Sequence, residues 1–148
     1  MKYALLVAGA LVLGVGAVSA QQDIVKDRQA TMKATGKAVG GTLSAMAKGE
    51  KPYDQAAVDA AFATLTETAT KLPTLFPDST KGLKGEGEYS ASPKVWDDKA
   101  GFASHIETFS KAVADTKGKV KDLDSLKANV GAIGKACGGC HETYRLKG

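Results

Sequence analysis

An all-α domain, an antiparallel up-down four-helix bundle, is the fold that this 148-residue sequence predicts. Three observations carry the prediction. Four stretches repeat apolar residues in alternating steps of three and four, turn-forming residues separate them, and no stretch shows the two-residue alternation of a strand. The same alternation predicts helices lying side by side and crossing at about 20°.

The first helix carries Val25, Gln29, Met32, Gly36, Val39, Leu43 and Met46 on one face. Asp23 can cap its start by accepting from the free N–H groups of the first turn, and Lys48-Gly49 can stop it. The second runs from Asp54 to Leu72 and turns Val58, Ala61, Phe62, Leu65, Ala69 and Leu72 inward. Pro52 and Asp54 open it, and Pro73 closes it by disfavouring α conformation in the residue before it. Residues 73–91, rich in Gly, Pro, Ser and Thr, read as a long connection. The third helix opens at Ser92-Pro93, a cap followed by proline at the first helical position. It presents Val95, Phe102, Ile106, Phe109, Val113 and Thr116, and Gly118 ends it. The fourth starts at Asp122 or Asp124 and presents Leu126, Val130, Ile133, Cys137, Cys140 and Tyr144. Gly36, Gly40 and Gly41 run against the grain of the first helix, since each costs about 1 kcal/mol relative to alanine. A bulky group is expected to need the space they leave.

The first twenty residues form a separate unit. Met1-Lys2 is a short positive start, Tyr3 to Val18 is uncharged, and Val18-Ser19-Ala20 ends in the small-x-small pattern that a secretory peptidase cuts. Residues 1–20 are therefore expected to be a cleaved leader and 21–148 one domain, working in the periplasm. The apolar run is short for a membrane span and no basic stop-transfer cluster follows it, so no span is expected in the mature chain. Twenty Lys and Arg stand against 16 Asp and Glu. They are interspersed along the chain, which argues against a nucleic-acid patch.

Both cysteines lie in Cys137-Gly138-Gly139-Cys140-His141, which has the C-x-x-C-H form of covalent haem attachment. The chemistry sets the spacing. Two thiols add to the two vinyl groups on one edge of a haem, and the adjacent histidine reaches the iron. At about 100° per residue, the cysteines stand about 60° apart around a helix and all three side chains fall within about 100°. A disulfide is the default for two cysteines outside the cytoplasm, but the following histidine redirects the reading. A thioredoxin-like pair belongs at the start of a helix after a strand, and none is predicted here. A structural zinc site needs four ligands, while the sequence offers only these cysteines and one further histidine, His105.

With these residues in place, the sequence resembles the class II c-type cytochromes, meaning cytochrome c-prime and its low-spin relatives. The closing pattern Cys137-x-x-Cys140-His141-x-x-Tyr144-Arg145 carries the likeness, together with Arg28-Gln29-Ala30-Thr31-Met32-Lys33, the segment from Leu72 to Pro77, and Pro93-Lys94-Val95-Trp96. It covers the whole mature chain. The resemblance implies one haem c held inside the bundle near the last helix, with His141 as the proximal iron ligand. Arg145, one helical turn on, would lie near the proximal pocket. Met32 would face the other side of the iron, Arg28 would approach a haem propionate, and Phe76 and Trp96 would wall the pocket. Family members commonly form homodimers through the first two helices, where Lys37, Tyr53, Ala57 and Ala61 could form the contact.

The family has two branches. In one, a first-helix methionine binds the iron, and the protein is a low-spin electron carrier serving periplasmic redox partners. In the other, the distal residue only packs, and the open iron admits nitric oxide or carbon monoxide. Met32 can ligate as a soft thioether or fill space as a pliable core residue. We expect the electron carrier and not an enzyme, because Met32 offers no proton transfer. Met46 reads as core and His105 as a surface or partly buried residue. Replacing Cys137 or Cys140 by alanine is expected to weaken or abolish covalent haem incorporation and to cost the bundle its order. Visible absorbance and circular dichroism check this, and a stably folded, haem-free Cys137→Ala/Cys140→Ala protein would refute it.

Overall fold

The computed structural model describes residues 4–85, 87 and 90–146, with side chains from Ser19 onward. Met1–Tyr3, where the expected leader begins, lie outside the described residues. Helix α1 (Ala4–Gly36) runs without interruption across the expected junction at Ala20-Gln21. It continues as a π-helical stretch, Lys37–Ser44, and ends in the single turn α2 (Ala45–Ala47). Gly49, at φ 79°, takes the left-handed conformation that releases the chain from the helix.

Asp54 caps α3 (Gln55–Lys71) by accepting from the Ala57 N–H at 2.9 Å, and the chain tightens into a 3-10 turn over Leu72–Thr74. The predicted third helix is two helices. The short α4 (Lys94–Asp97) breaks at Asp98, whose carboxylate accepts from the Gly101 N–H at 3.0 Å and so caps α5 (Lys99–Lys119). Gly118 does not end the helix; it lies inside the last turn, and the chain leaves at Val120. The fourth helix also divides. Asp122 caps α6 (Leu123–Asn129) in a reciprocal box with Ser125, and α7 (Gly131–Tyr144) follows after Val130. The expectation of no strand is corrected by a minimal pair, β1 (Ser90–Ala91) antiparallel to β2 (Arg145–Leu146), with Ser90 opposite Leu146 and Ala91 opposite Arg145. Two residues are too few for alternation to reveal, and the pairing exists only because the C-terminus folds back beside the long connection.

Four walls result: α1 with its π stretch, α3, α5, and α6 with α7. Helix α5 packs on both α7 and α3, and α3 packs on α1 and the π stretch. Every wall feeds one core, with Leu43 and Met46 meeting Val58, Phe62 and Leu65, and these meeting Val113, Leu126 and Ile133. Full burial of each such side chain contributes about 1.5–3 kcal/mol. Thr35 and Thr68 bring hydroxyls into the seam between α1 and α3, and they satisfy each other at 2.9 Å. Ala61, expected on an outer contact face, belongs to this core, and Tyr53 and Ala57 are half-buried against it. Among the described residues no helix is long and apolar enough to cross a membrane.

A tight knot joins the two ends of the divided helices. The buried Tyr144 donates its hydroxyl to Asp98 Oδ2 at 2.8 Å, and a Cβ added at Gly101 would overlap both partners. A Cβ at Gly118 would meet nothing within 4 Å. Two glycines of one helix should therefore respond oppositely to alanine. Gly118→Ala should stabilise by up to about 1 kcal/mol through helix propensity. Gly101→Ala should destabilise, because the added Cβ pushes Asp98 and Tyr144 apart and breaks their hydrogen bond, which outweighs the gain in helix propensity. Urea unfolding of the two haem-loaded variants checks the signs.

Candidate functional site

The apolar stripes read from the sequence divide into two parts. Their far ends are packed core, whereas Met32, Gly36, Val39, Phe102, Ile106, Cys137 and Cys140 are only partly buried or exposed. All seven line one cavity of about 560 Å³. Ala69 and Val130 are also half-buried, but they lie against the core.

Helix α7 supplies one wall. Cys137, Cys140 and His141 all line the cavity, as expected for three side chains within one arc of a helix. The cysteines are free rather than bridged. Burial raises both thiols above their ordinary range, and the neighbouring Cys137 adds to the effect at Cys140. The sulfurs therefore stand as neutral thiols. Burial, and after it the charge of Arg145, holds the His141 imidazole below its ordinary value. Its ring is neutral at pH 7, with a lone pair free to bind a metal. His105 reaches the cavity from α5, its ring 5.4 Å from that of Tyr144 and close to Gly139.

Helix α1 supplies the facing residues Met32 and Gly36, and the π stretch supplies Gly40. Open space surrounds the Cβ positions of both glycines, which fits the expectation of a bulky neighbour. Gly41 departs from it, lying instead beside the Lys37 stem. Lys37, expected on an outer contact face, is exposed and also lines the cavity. Met46, read as core, is core, at 4% exposure.

Arg28 stands out chemically. It is 6% exposed, and its guanidinium donates to the Leu75 carbonyl at 3.0 Å and to Thr80 Oγ1 at 2.8 Å. It also lies 4.2 Å from the Phe76 ring centroid. None of these partners is a carboxylate, and burial lowers its pKa to about 10. A buried cation without an acid carries a desolvation cost that an anion in the adjoining cavity would offset. The lining thus holds two thiols and a neutral imidazole at helix spacing, a thioether facing them, and a buried cation beside an apolar volume. That donor set fits a haem with its carboxylate substituents.

Two expected positions change. Trp96 does not line the cavity. It stands behind Phe76, its indole N–H shared between the Phe76 and Pro77 carbonyls at 3.2 Å each. Phe76 does line it and continues edge-to-face into Phe102 at 4.8 Å. Arg145 is not one helical turn beyond His141. The helix ends at Tyr144, and Arg145 is extended in β2, exposed at the cavity mouth. Sequence reasoning missed the π stretch, the Thr80 acceptor and Lys33 at the rim. The Gly40-Gly41 pair was the one available sign of irregular helix.

Comparison with known proteins agrees with this chemistry. The family model described as Cytochrome C' matches residues 23–145. The chain is 56% identical over 148 residues to cytochrome c-556 of Rhodopseudomonas palustris, spanning 99% of each chain. It is 40% identical over 142 residues to cytochrome c' of the same organism, spanning 95% of this chain and 94% of the other. Its fold matches the NMR-validated structural model for oxidized R. palustris cytochrome c556 with a TM-score of 0.74, at 55% identity, covering 86% of this chain and 98% of that one.

Tyr144 offers a direct check on the α7 wall. Its hydrogen bond to Asp98, with burial second, pushes its phenol up to about 12. Because the folded pKa lies above the unfolded value, the resulting stability is complete below about pH 10 and is lost as pH rises toward 12. Ultraviolet titration should show a late tyrosine that Tyr144→Phe removes, and alkaline destabilisation over this window should shrink in that variant.

Proposed function

The chain belongs to the cytochrome c' family, and from that premise we propose that it works as a low-spin electron carrier in which Met32 and His141 would both hold the haem iron. It is a monohaem c-type cytochrome with covalently bound haem c. The observation that carries the ligand assignment is that Met32, from the first helix, and His141, from the last, line the same cavity.

Each residue has a task in this reading. Cys137 and Cys140 would tether the haem through their sulfurs. His141 would hold the iron through the lone pair that burial keeps unprotonated. Arg28 would hold a propionate, which provides the charge partner its own chain does not supply among the described residues. Phe76 closes the apolar side. Bound haem would supply a one-electron couple between ferric and ferrous iron, whose potential the Met32 thioether would raise.

The cavity also argues against an enzyme. His105, its second imidazole, sits beside Tyr144 and Gly139 on the α7 side. Met32, on the opposite wall, cannot donate or accept a proton. The periplasm is the compartment this reading requires, reached through the leader over residues 1–20.

A spectrum tests the assignment. With Met32 bound, the ferrous protein should be low-spin, with a sharp alpha band and resistance to carbon monoxide at low concentration. Met32→Ala should become high-spin and bind the gas readily, because the displaced thioether is otherwise held at high effective concentration. A high-spin ferrous spectrum from wild-type protein at neutral pH would overturn the assignment and move the chain to the gas-binding branch.

A further inference from the structure

We propose that the mouth of the cavity is a docking surface for an acidic patch on a redox partner protein. The proposal rests on the electron-carrier reading above and adds where, and to what chemistry, the electron passes. Lys33, Lys37 and Arg145 are exposed and line the mouth, with buried Arg28 behind them. Not one Asp or Glu lines the cavity among the described residues, although the chain holds 16 of them.

Four lysines elsewhere on the surface are held by acids. Lys71 pairs with Asp27 at 3.4 Å, Lys99 with Asp78 at 2.7 Å, Lys111 with Asp115 at 2.8 Å, and Lys81 with Asp97. The side chains of Lys33, Lys37 and Arg145 make no ion pair or hydrogen bond with a described residue. Counted over the described residues, two haem carboxylates, one of them taken by Arg28, would still leave the lining net positive. Beside Arg145 on β2 sits Leu146, the one large apolar side chain exposed among the described residues, at 40%. Exposed cations lining the mouth of an apolar cavity, with an exposed apolar side chain beside Arg145, match the polar rim and apolar centre of a transient protein interface. An electron can leave only to a second redox centre brought close to the haem. A protein meets that need, and a lipid surface does not.

Lys33→Glu/Lys37→Glu in the haem-loaded protein tests this by stopped-flow oxidation of the ferrous form. At about 10 mM ionic strength the reaction with ferricyanide, a trianion, should slow about tenfold or more, while the reaction with the tripositive cobalt tris-phenanthroline should quicken comparably. Both differences should collapse in high salt. Lys117→Glu/Lys119→Glu makes the same change in net charge at least about 18 Å farther along α5 from His105, and should alter either rate less than about twofold. A ten-residue poly-aspartate peptide should shift the amide signals of Lys33, Lys37, Arg145 and Leu146 in the wild type and not in the rim variant. If the reversed pair does not take up haem, Lys33→Gln/Lys37→Gln should show the same signs at reduced size. Equal slowing by the far-end pair, or a peptide footprint away from the mouth, would overturn the proposal. So would peptide binding no stronger than that of anionic phospholipid vesicles. The visible spectrum separates the two claims, since a failed Met32 assignment alters the alpha band and leaves the rim effect, whereas a failed rim leaves the alpha band.

Discussion

The Arg28 guanidinium ties the first helix to the connection that closes the cavity. Its two hydrogen bonds reach Leu75 and Thr80, 47 and 52 residues further along the chain. They hold the loop against α1 and set the Phe76 ring beneath the charge. From there an unbroken line of contacts crosses the molecule. Phe76 meets Phe102 at 4.8 Å, Phe102 meets Tyr144 at 5.2 Å, and Tyr144 hydrogen-bonds Asp98. A cation, three rings and a carboxylate thereby join α1, the long connection, α5 and α7. Among the described residues this buried cation has no acid beside it.

The breaks in the helices serve this line. Asp98 interrupts what would be one long helix, caps α5 and accepts from Tyr144, so a single carboxylate fixes a helix start and the end of α7 together. Those hydrogen bonds also hold its pKa below the ordinary carboxylate value. Because α7 is anchored at Tyr144, His141 one turn earlier is held in register with Cys137 and Cys140. The β1–β2 pair then turns Arg145 out of the helix path to the mouth. There its charge helps keep His141 neutral.

The π stretch does the corresponding task on the facing wall. Its wider turn places Val39 and Gly40 at the cavity while Ala38 and Leu43 remain in the core. Two adjacent glycines lower the cost of departing from α geometry, and Lys51 donates to the Gly41 carbonyl at 2.7 Å. The charge distribution follows from the same geometry. Seven of the 16 acids serve as caps, at Asp54, Asp98 and Asp122, or as lysine partners, and among the described residues none lines the cavity.

The bundle, its four walls and the three residues of the attachment motif were legible from sequence because each rests on local repetition. A 3-4 apolar rhythm specifies a helix face, and Cys137, Cys140 and His141 need only helical spacing to share an arc. Caps such as Asp54 and Asp122 were equally local. Periodicity reports which side chains face inward, however, and not what they meet there. Met32 and Phe102 carried the same signal as Leu43 and Val113, yet the former line the cavity and the latter are core. The partners of Arg28, the retreat of Trp96 behind Phe76, the departure of Arg145 from the helix and the gathering of Lys33, Lys37 and Arg145 at one cavity depend on contacts between segments far apart in the chain. Only the tertiary structure decided them, because burial and charge pairing are properties of neighbours in space.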